Sequence, residues 1–279
     1  MSAQALDGHV ALVTGAGRGI GRAHALLLAE RGAKVVVSDL GVDLHGRGED
    51  SSVASGVVDE IVAAGGVAVA DTNDIASFAG AAAAVKTGLQ AFGKVDIVVN
   101  NAGLPGGASI LELTEDQLNR AFALHFHGSI GTAKAAWPSM QAQGWGWIVN
   151  TVSEEAFPPN VDADRGGLGL VYGPAKAAVW SATTGLAAEG LASGITVNAI
   201  SPGAFTRMNV DLFVEHPTSL DLDPSHIARV AAWLASDEAG DVTGRVIHVA
   251  GVHRREYVMR RHADTALIDR LHSAIDGTS

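Results

Sequence analysis

Residues 9–32 read HVALVTGAGRGIGRAHALLLAERG, and this stretch decides the fold. Its apolar, β-branched opening predicts a buried strand, and its Ala- and Leu-rich end predicts a helix. Between the two stand Gly15, Gly19 and Gly21. Glycines in a strand-to-helix turn let the backbone approach a pyrophosphate, whose charge the helix N-terminus favours. The stretch therefore predicts a dinucleotide-binding loop, with a ligand-free glycine-rich turn as the alternative.

The same alternation of strand-like and helix-like segments continues along the chain. The further apolar runs are KVVVSD, GVAVAD, KVDIVVN, GWIVNT, ITVNAI and RVIHVA, and helical patterns begin near Ile20, Ser51, Ile75, Thr114, Tyr172 and Pro224. Strands that are apolar on both faces and alternate with amphipathic helices predict a parallel sheet covered on both sides. We therefore expect a single α/β domain over residues 1–251, a doubly wound parallel sheet of seven strands with the Rossmann fold. Residues 252–279 form an extension, in which the pattern at 263–275 predicts one more helix.

The composition limits the class of protein. With 279 residues, 47% of them hydrophobic, the chain can bury a full core. A formal net charge of -11 argues against a nucleic-acid partner, because neutralising phosphates requires an excess of basic residues. There is no apolar signal at the N-terminus, and no apolar stretch approaches the roughly 20 residues of a membrane span. We therefore expect a soluble, cytoplasmic protein with no membrane partner.

Metal and thiol chemistry have little support in the sequence. The chain has no cysteine, which excludes disulfides, thiolate metal sites and cysteine nucleophiles. Among its eleven histidines, His125 and His127 are close but spaced i,i+2, which turns their rings to different sides of a helix. We expect no metal.

The end of the second strand bears on the choice of cofactor. Asp39 follows Gly21 by 18 positions, where a carboxylate can accept hydrogen bonds from an adenosine ribose. A 2′-phosphate at that place would meet a like charge, so the sequence favours NAD over NADP. Arg18, within the glycine loop, is the residue that could instead answer a phosphate.

Three motifs at matching intervals identify a family. TGAGRGIG at 14–21, NNAG at 100–103 and YGPAK at 172–176 resemble the short-chain dehydrogenase/reductase family over roughly residues 7–251. The runs VVVSDLGVDLHGRGEDSS, VKTGLQAFGKVDIVVNNAG and KAAWPSM are similar to the subgroup formed by the (3R)-hydroxyacyl-CoA dehydrogenase domains of peroxisomal multifunctional enzymes type 2. The resemblance implies a homotetrameric oxidoreductase that uses a nicotinamide cofactor.

The resemblance implies that Tyr172 is the general acid/base, and the chemistry of the residues agrees. Removing the proton of a secondary alcohol requires a base, yet tyrosine with a pKa near 10 is poorly ionised at neutral pH. Lys176 lies one helical turn away on the same face, where its ammonium would stabilise the phenolate and lower the pKa of Tyr172. The alternative is an ordinary pair on a helix surface.

Ser153, in GWIVNTVSEEAF, matches the active-site serine of the family, although a serine after a strand is also a common turn residue. Its interval to Tyr172 is 19 positions, longer than in the family, so the segment DADRGGLGL must loop out. Glu154 and Glu155 replace residues that are usually small, and two carboxylates beside the reaction centre should disfavour an anionic substrate group there.

The remaining family positions imply contacts with the cofactor. Asp74 matches the adenine-binding position, with Asp71 as the alternative in another register. Asn101, Ala102 and Gly103 match the loop flanking the cofactor. Stabilising the central sheet is the alternative role of these three residues. The full expected set, besides Tyr172 and Lys176, is Gly15, Arg18, Gly19, Ile20, Gly21, Asp39, Leu40, Asp74, Ile75, Asn101, Ala102, Gly103, Pro202, Gly203 and Thr206.

His125 is the sharpest departure from the family pattern. Many members carry asparagine there, and its backbone carbonyl holds a water that passes protons from the lysine to solvent. The carbonyl remains whatever the side chain, and an imidazole can relay protons itself near neutral pH. We therefore count His125 as the fourth catalytic residue, with a buried structural histidine as the alternative.

The substrate is less well defined by the sequence. The substrate loop, at about residues 204–224, is short, and between Arg207 and Pro224 it is apolar at Met208, Val210, Leu212, Phe213 and Val214. An apolar loop over the substrate favours an apolar alcohol or ketone, such as a 3-hydroxyacyl thioester, a steroid or a ring alcohol; ordinary packing of these residues is the alternative. The basic run HRREYVMRRH at 253–262 could hold coenzyme A phosphates or form a subunit interface; the tetramers of the family favour the interface. A catalytically silent member that binds dinucleotide is the alternative function.

Overall fold

The structure, a computed structural model, describes residues 5–156, 170–210 and 219–258. Within these ranges eight strands form one sheet: β1 (Val10–Thr14), β2 (Lys34–Ser38), β3 (Val67–Asp71), β4 (Ile97–Asn100), β5 (Gly146–Thr151), β6 (Ile195–Gly203), β7 (Val246–Ala250) and β8 (His253–Tyr257). The strand order is β3-β2-β1-β4-β5-β6-β7-β8, and every neighbouring pair from β3 to β7 is parallel. The predicted doubly wound α/β fold is confirmed.

Helices cover both faces of this sheet. They are α1 (Gly19–Glu30), α2 (Ser51–Ala63), α3 (Phe78–Phe92), α4 (Glu115–Ala121), α5 (Gly128–Gln143), α6 (Tyr172–Gly190) and α7 (Ser225–Leu234), and a π-helical turn (Phe122–His127) joins α4 to α5. Strand side chains alternate between the two layers: Ala11 and Val13 of β1 join the core that includes residues of α1 and α2, and Leu12 joins the core on the α3 and α5 side. None of the helices in the described ranges combines the length and apolar content that a membrane span requires.

Local capping explains where two helices begin. The helical pattern near Ile75 starts later in the structure, at Phe78, because the Ser77 hydroxyl accepts a 3.1 Å hydrogen bond from the Gly80 amide and caps the helix. Thr114 likewise precedes α4 and forms a reciprocal capping box with Gln117. The helix predicted over 263–275 lies outside the described residues.

The predicted count of seven strands needs correction, because the described residues form a sheet of eight. Residues His253–Tyr257 form β8, which pairs antiparallel with β7 and extends the same sheet by one strand. The turn between them is Gly251–Val252, with Gly251 at a φ of +59°. A side chain there would also overlap the carbonyl oxygen of Asp221. Glycine is therefore the residue that permits the hairpin, and a Gly-X pair is the recognised signal for such a turn.

The sheet order reverses between β1 and β4, since β2 and β3 lie on one side of β1 and β4 to β7 on the other. In such sheets ligands bind in the crevice outside the carboxyl ends of the strands at this reversal. The segments that follow β1, β2, β4, β5 and β6 carry most of the expected site residues.

Candidate active site

The glycine loop between β1 and α1 is packed so closely that side chains would not fit. A Cβ on Gly15, whose φ is +63°, would lie 2.8 Å from the Cα of Ala102. A Cβ on Gly21 would overlap the carbonyl oxygen of Gly15. Gly19 has a φ of +52°, is exposed and opens α1. The result is a backbone cradle at a helix N-terminus, which fits the phosphates of a dinucleotide.

The loop after β4 ties this cradle to the centre of the sheet. The Asn101 side-chain amide donates to the carbonyl oxygens of Thr14 and Gly15 at 3.0 and 3.2 Å. The backbone amides of Asn101 and Ala102 donate to the Thr14 hydroxyl at 3.0 and 3.1 Å. Sequence reasoning missed Thr14, although a buried hydroxyl residue directly before the glycine loop was a signal that its hydrogen bonds had to be satisfied.

Asp39 lies at the rim of the cradle. Its two carboxylate oxygens accept hydrogen bonds from the backbone amides of Gly17 and Gly41, both at 2.8 Å. The guanidinium of Arg18 points to the neighbouring loop, where it donates to the carbonyl oxygen of Val42 at 3.1 Å. A carboxylate thus faces the glycine loop directly, and Leu40 follows it in the same segment.

The structure separates the two candidates for adenine recognition. Asp71 is buried and accepts hydrogen bonds from Ser38, Asn73 and Thr87 at 2.8, 2.6 and 2.9 Å, so it holds β3 to its neighbours. Asp74 is exposed and caps the turn that contains Ile75. The geometry favours Asp74 as the residue able to contact a ligand.

Ser153, Tyr172 and Lys176 come together beyond the carboxyl end of β5. Tyr172 is the first residue of α6, and its side chain forms a hydrogen bond with Ser153. Lys176 is 3% exposed, lies with its Nζ 5.6 Å from the centre of the Tyr172 ring, and donates to the carbonyl oxygen of Thr151 at 2.7 Å. The long interval in sequence between Ser153 and Tyr172 does not prevent their contact.

The electrostatics of the pair differ from the sequence-based expectation. Burial raises the pKa of Tyr172 to about 12. The hydrogen bond from Ser153 lowers this pKa and the charge of Glu155 raises it, but burial is the largest of the three effects. Burial also lowers the pKa of Lys176 to about 7. The expected lowering of the tyrosine pKa by the ammonium is therefore not present in this structure, because desolvation outweighs it and the ammonium hydrogen-bonds to the backbone instead.

His125 lies in the π-helical turn and packs against Tyr172. The two rings meet edge to face with centroids 5.3 Å apart, and Nε2 of His125 lies 3.2 Å from the carbonyl oxygen of Leu104. Gly103 is required here, because a Cβ would lie 2.8 Å from the imidazole. Burial, together with the charge of Lys176, holds the pKa of His125 well below its ordinary value. The carbonyl oxygen of His125 accepts a 2.7 Å hydrogen bond from Ser129.

The segment after β6 reaches over the glycine loop. Pro202 and Gly203 end the strand, and Thr206 lies so that its methyl group is 3.5 Å from a Cβ placed on Gly19. Asn209 fixes Thr206 by accepting from its amide and its hydroxyl at 2.8 and 3.2 Å. The apolar residues Leu212, Phe213 and Val214, and the segment DADRGGLGL apart from its final Leu170, lie outside the described residues.

The histidine pair is divided as its spacing predicts. His125 is buried and His127 is exposed. Within the described ranges no three histidine or acidic residues cluster in a way that could hold a metal ion.

Two curated proteins are similar to this chain over most of its length. The chain is 38% identical over 255 residues to the peroxisomal multifunctional enzyme type 2 of Drosophila melanogaster, which covers 91% of this chain and 41% of that protein. It is 35% identical over 247 residues to the peroxisomal hydratase-dehydrogenase-epimerase of Neurospora crassa, covering 88% of this chain and 26% of the other. The chain thus spans less than half the length of either relative.

Among solved structures, the crystal structure of a short chain dehydrogenase from Mycobacterium avium superposes with a TM-score of 0.80 at 35% identity, covering 99% of this chain and 97% of the other. The sequence model of the family described as short chain dehydrogenase matches residues 9–215. The chain belongs to the short-chain dehydrogenase/reductase family.

Proposed function

We propose that the protein is an NAD-dependent dehydrogenase that interconverts a secondary alcohol and a ketone, with a 3-hydroxyacyl thioester as its substrate class. The observation that carries the proposal is the contact of Ser153, Tyr172 and Lys176 beside a backbone cradle that only glycine can form. When bound, the nicotinamide cofactor supplies the acceptor or donor of a hydride.

Tyr172 exchanges the hydroxyl proton. In the oxidising direction its phenolate oxygen takes the proton of the substrate alcohol while the carbinol carbon loses hydride. In the reducing direction the phenol returns the proton to the new alkoxide. Its half-buried ring and its hydrogen bond with Ser153 fix the oxygen for this transfer. Ser153 holds the substrate oxygen through its hydroxyl as charge develops there.

Lys176 lies between the Tyr172 ring and the end of β5. With a pKa of about 7 it can gain or lose a proton near neutral pH, and the carbonyl oxygen of Thr151 fixes its position. The protein would thereby supply positive charge for the phenolate form of Tyr172. The carbonyl oxygen of His125 continues the proposed proton path, and its present donor, Ser129, would have to share it with water.

Asp39 supports NAD as the cofactor. Its carboxylate lies against the glycine loop, where the 2′-phosphate of NADP would meet negative charge. The guanidinium of Arg18 donates a hydrogen bond to the carbonyl oxygen of Val42, so it would have to reorient to bind that phosphate.

The two relatives support the substrate class, since one is named a hydratase-dehydrogenase-epimerase and both match this chain over most of its length. The exposed side chains of Phe205, Met208 and Val210 add apolar surface near the site. A homotetramer and a cytoplasmic location remain proposals; both named relatives are peroxisomal.

The test is a panel of (3R)- and (3S)-hydroxyacyl-CoA, hydroxysteroids and simple ring alcohols, followed at the absorbance of reduced nicotinamide with NAD and with NADP. We expect NAD-dependent turnover of a hydroxyacyl-CoA that is lost in Tyr172→Phe. Turnover of none of these substrates, together with tight dinucleotide binding, would favour the silent member of the family instead.

A further inference from the structure

The chain has two tyrosines, and Tyr257, the one outside the proposed catalytic group, contacts Glu154, the residue next to Ser153. Tyr257 is the last residue of β8, and its hydroxyl donates a hydrogen bond to the carboxylate of Glu154. Glu154 directly follows Ser153, although 103 positions of sequence separate it from Tyr257. The eighth strand, which lies beyond the region matched by the family, therefore reaches the turn that carries the proposed catalytic serine.

Aromatic rings hold Tyr257 in this position. Its ring centroid lies 5.9 Å from that of Trp180, which is buried, and 5.5 Å from that of His248. The strand register pairs Val246 with Tyr257, which brings the side chains of Tyr257 and His248 to the same face of the sheet. Burial, reinforced by the hydrogen bond to Glu154, raises the pKa of Tyr257 to about 12, so its phenol remains a donor at neutral pH.

His248 approaches the same carboxylate from β7. Its Nδ1 lies 3.6 Å from the oxygen of Glu154 that Tyr257 binds. This Nδ1 is buried and has no hydrogen-bond partner in the described part of the chain. Two residues of the last hairpin therefore converge on the carboxylate of Glu154.

The turn after β5 transmits the position of Glu154 to Ser153. Residues Glu154–Ala156 form a single 3-10 turn, in which the Glu155 amide donates to the Ser153 hydroxyl at 3.2 Å. The Ala156 amide donates to the Ser153 carbonyl oxygen at 3.1 Å. The turn also packs on the start of α6, since a Cβ on Gly173 would overlap the carbonyl oxygen of Glu155. A displacement of Glu154 should therefore shift the hydroxyl of Ser153 relative to Tyr172.

We propose that Tyr257 is a positioning residue, which holds the hydroxyl of Ser153 at Tyr172 by binding Glu154. The inference rests on the proposed function, because Ser153 is taken to hold the substrate oxygen. It also gives the eighth strand a role in the reaction. The carboxylate of Glu154, bound in this way, is kept turned toward the last hairpin.

A double-mutant cycle on turnover tests the pair. Tyr257→Phe and Glu154→Ala should each lower kcat about tenfold, because a displaced serine hydroxyl no longer meets the developing charge. The affinity for NAD should stay unchanged in both. The double variant should be no slower than either single variant, since both remove the same contact. Glu154→Gln, which keeps an oxygen acceptor for Tyr257, should retain most of the rate. Glu256→Gln is the matched control on the same strand and should have wild-type kcat.

A second readout does not depend on activity. Tyr257→Phe leaves Tyr172 as the only tyrosine, so a chain labelled with ¹³C at the tyrosine ring carbon that bears the hydroxyl gives one NMR signal. In Tyr257→Phe that signal should move away from its wild-type position toward the position seen in Ser153→Ala. Glu154→Ala should move the Tyr172 signal in the same direction, and Glu256→Gln should leave it in place.

Failure of this inference is distinguishable from failure of the proposed function. If the wild-type protein turns over none of the panel, the proposed function fails and the NMR signal alone decides whether Tyr257 positions Ser153. If Tyr257→Phe lowers the unfolding free energy but leaves both kcat and the Tyr172 signal unchanged, Tyr257 is only structural and the inference is wrong. Additive losses in the double variant would overturn it as well.

Discussion

The ammonium of Lys176 donates its 2.7 Å hydrogen bond to the backbone carbonyl of Thr151, the last residue of β5. Lys176 is thereby anchored on the central sheet, and its charge acts on the Tyr172 ring across 5.6 Å. An anchored, desolvated lysine should affect stability as well as the proposed catalysis, because burial lowers its pKa to about 7. Stability and activity should therefore respond differently to its removal.

Lys176→Met should remove a pH-dependent term from stability. The pKa of Lys176 is lowered from 10.5 in the unfolded chain to about 7, so between these values the unfolded state binds more protons. Stability of the wild type should accordingly rise from pH 7 to pH 9.5, by up to about 1.4 kcal/mol per pH unit from this residue. Urea unfolding at several pH values measures the slope. The methionine variant should lack it, and an equal slope in both proteins would contradict the assigned pKa.

The same variant should lose about a hundredfold or more in kcat, the usual range for removing a group that supports proton transfer. Lys86→Met is a matched control, since Lys86 lies exposed on α3. A methionine variant at 176 that kept wild-type turnover would remove Lys176 from the proposed mechanism.

The affinity of the protein for the oxidised cofactor should depend on pH through the ionisation of Tyr172. Its pKa of about 12 applies to the protein alone, and the positive charge of an oxidised nicotinamide beside the phenol would favour the phenolate. Linkage then requires the affinity for NAD to increase as pH rises through the lowered pKa toward about 12. NADH carries no such charge and is the control. Fluorescence titrations from pH 7 to 10 should show the effect for NAD only, and Tyr172→Phe should abolish it.

The sequence predicted those parts of the site that depend on local spacing. Gly15 and Gly21 meet backbone atoms that leave no room for a side chain, and the four-residue interval between Tyr172 and Lys176 places both on one face of α6. Such relationships follow from the geometry of a turn or of a helix, which a sequence records directly.

Depth of burial was not predictable in this way. The expected lowering of the Tyr172 pKa failed because the strength of desolvation depends on all the surrounding segments. The strand His253–Tyr257 was missed because its side chains are polar at almost every position, and β-pairing of an edge strand needs no apolar pattern. Contacts between distant positions, such as Tyr257 with Glu154, leave no periodic trace in the sequence.

The preference for NAD should depend on Asp39. We expect NAD to bind at least tenfold more tightly than NADP, about 1.4 kcal/mol. Asp39→Ala should narrow this gap, because the like charge facing a 2′-phosphate is removed. The variant also loses the acceptor for the Gly17 and Gly41 amides, so thermal unfolding must be measured alongside. Asp39→Asn keeps an acceptor in the loop and should narrow the gap with less loss of stability. Equal affinities of the wild type for the two cofactors, measured by titration, would be incompatible with the assignment.

Variants of His125 distinguish proton transfer through its imidazole from proton transfer through its backbone carbonyl oxygen. Its imidazole is neutral near pH 7, because burial and Lys176 hold its pKa well below the ordinary value. A relay that requires protonation of the ring is therefore disfavoured, whereas the carbonyl oxygen is still available in any variant. His125→Ala should lower turnover because it removes the contacts with Tyr172 and Leu104, while NAD affinity should be unchanged. His125→Asn should restore much of the rate that His125→Ala loses. The pH–rate profiles of the wild type and of His125→Asn should agree near pH 6.5, because the neutral imidazole does not titrate there. A wild-type rate profile with an inflection near pH 6.5 that disappears in His125→Asn would show instead that the imidazole itself carries the proton.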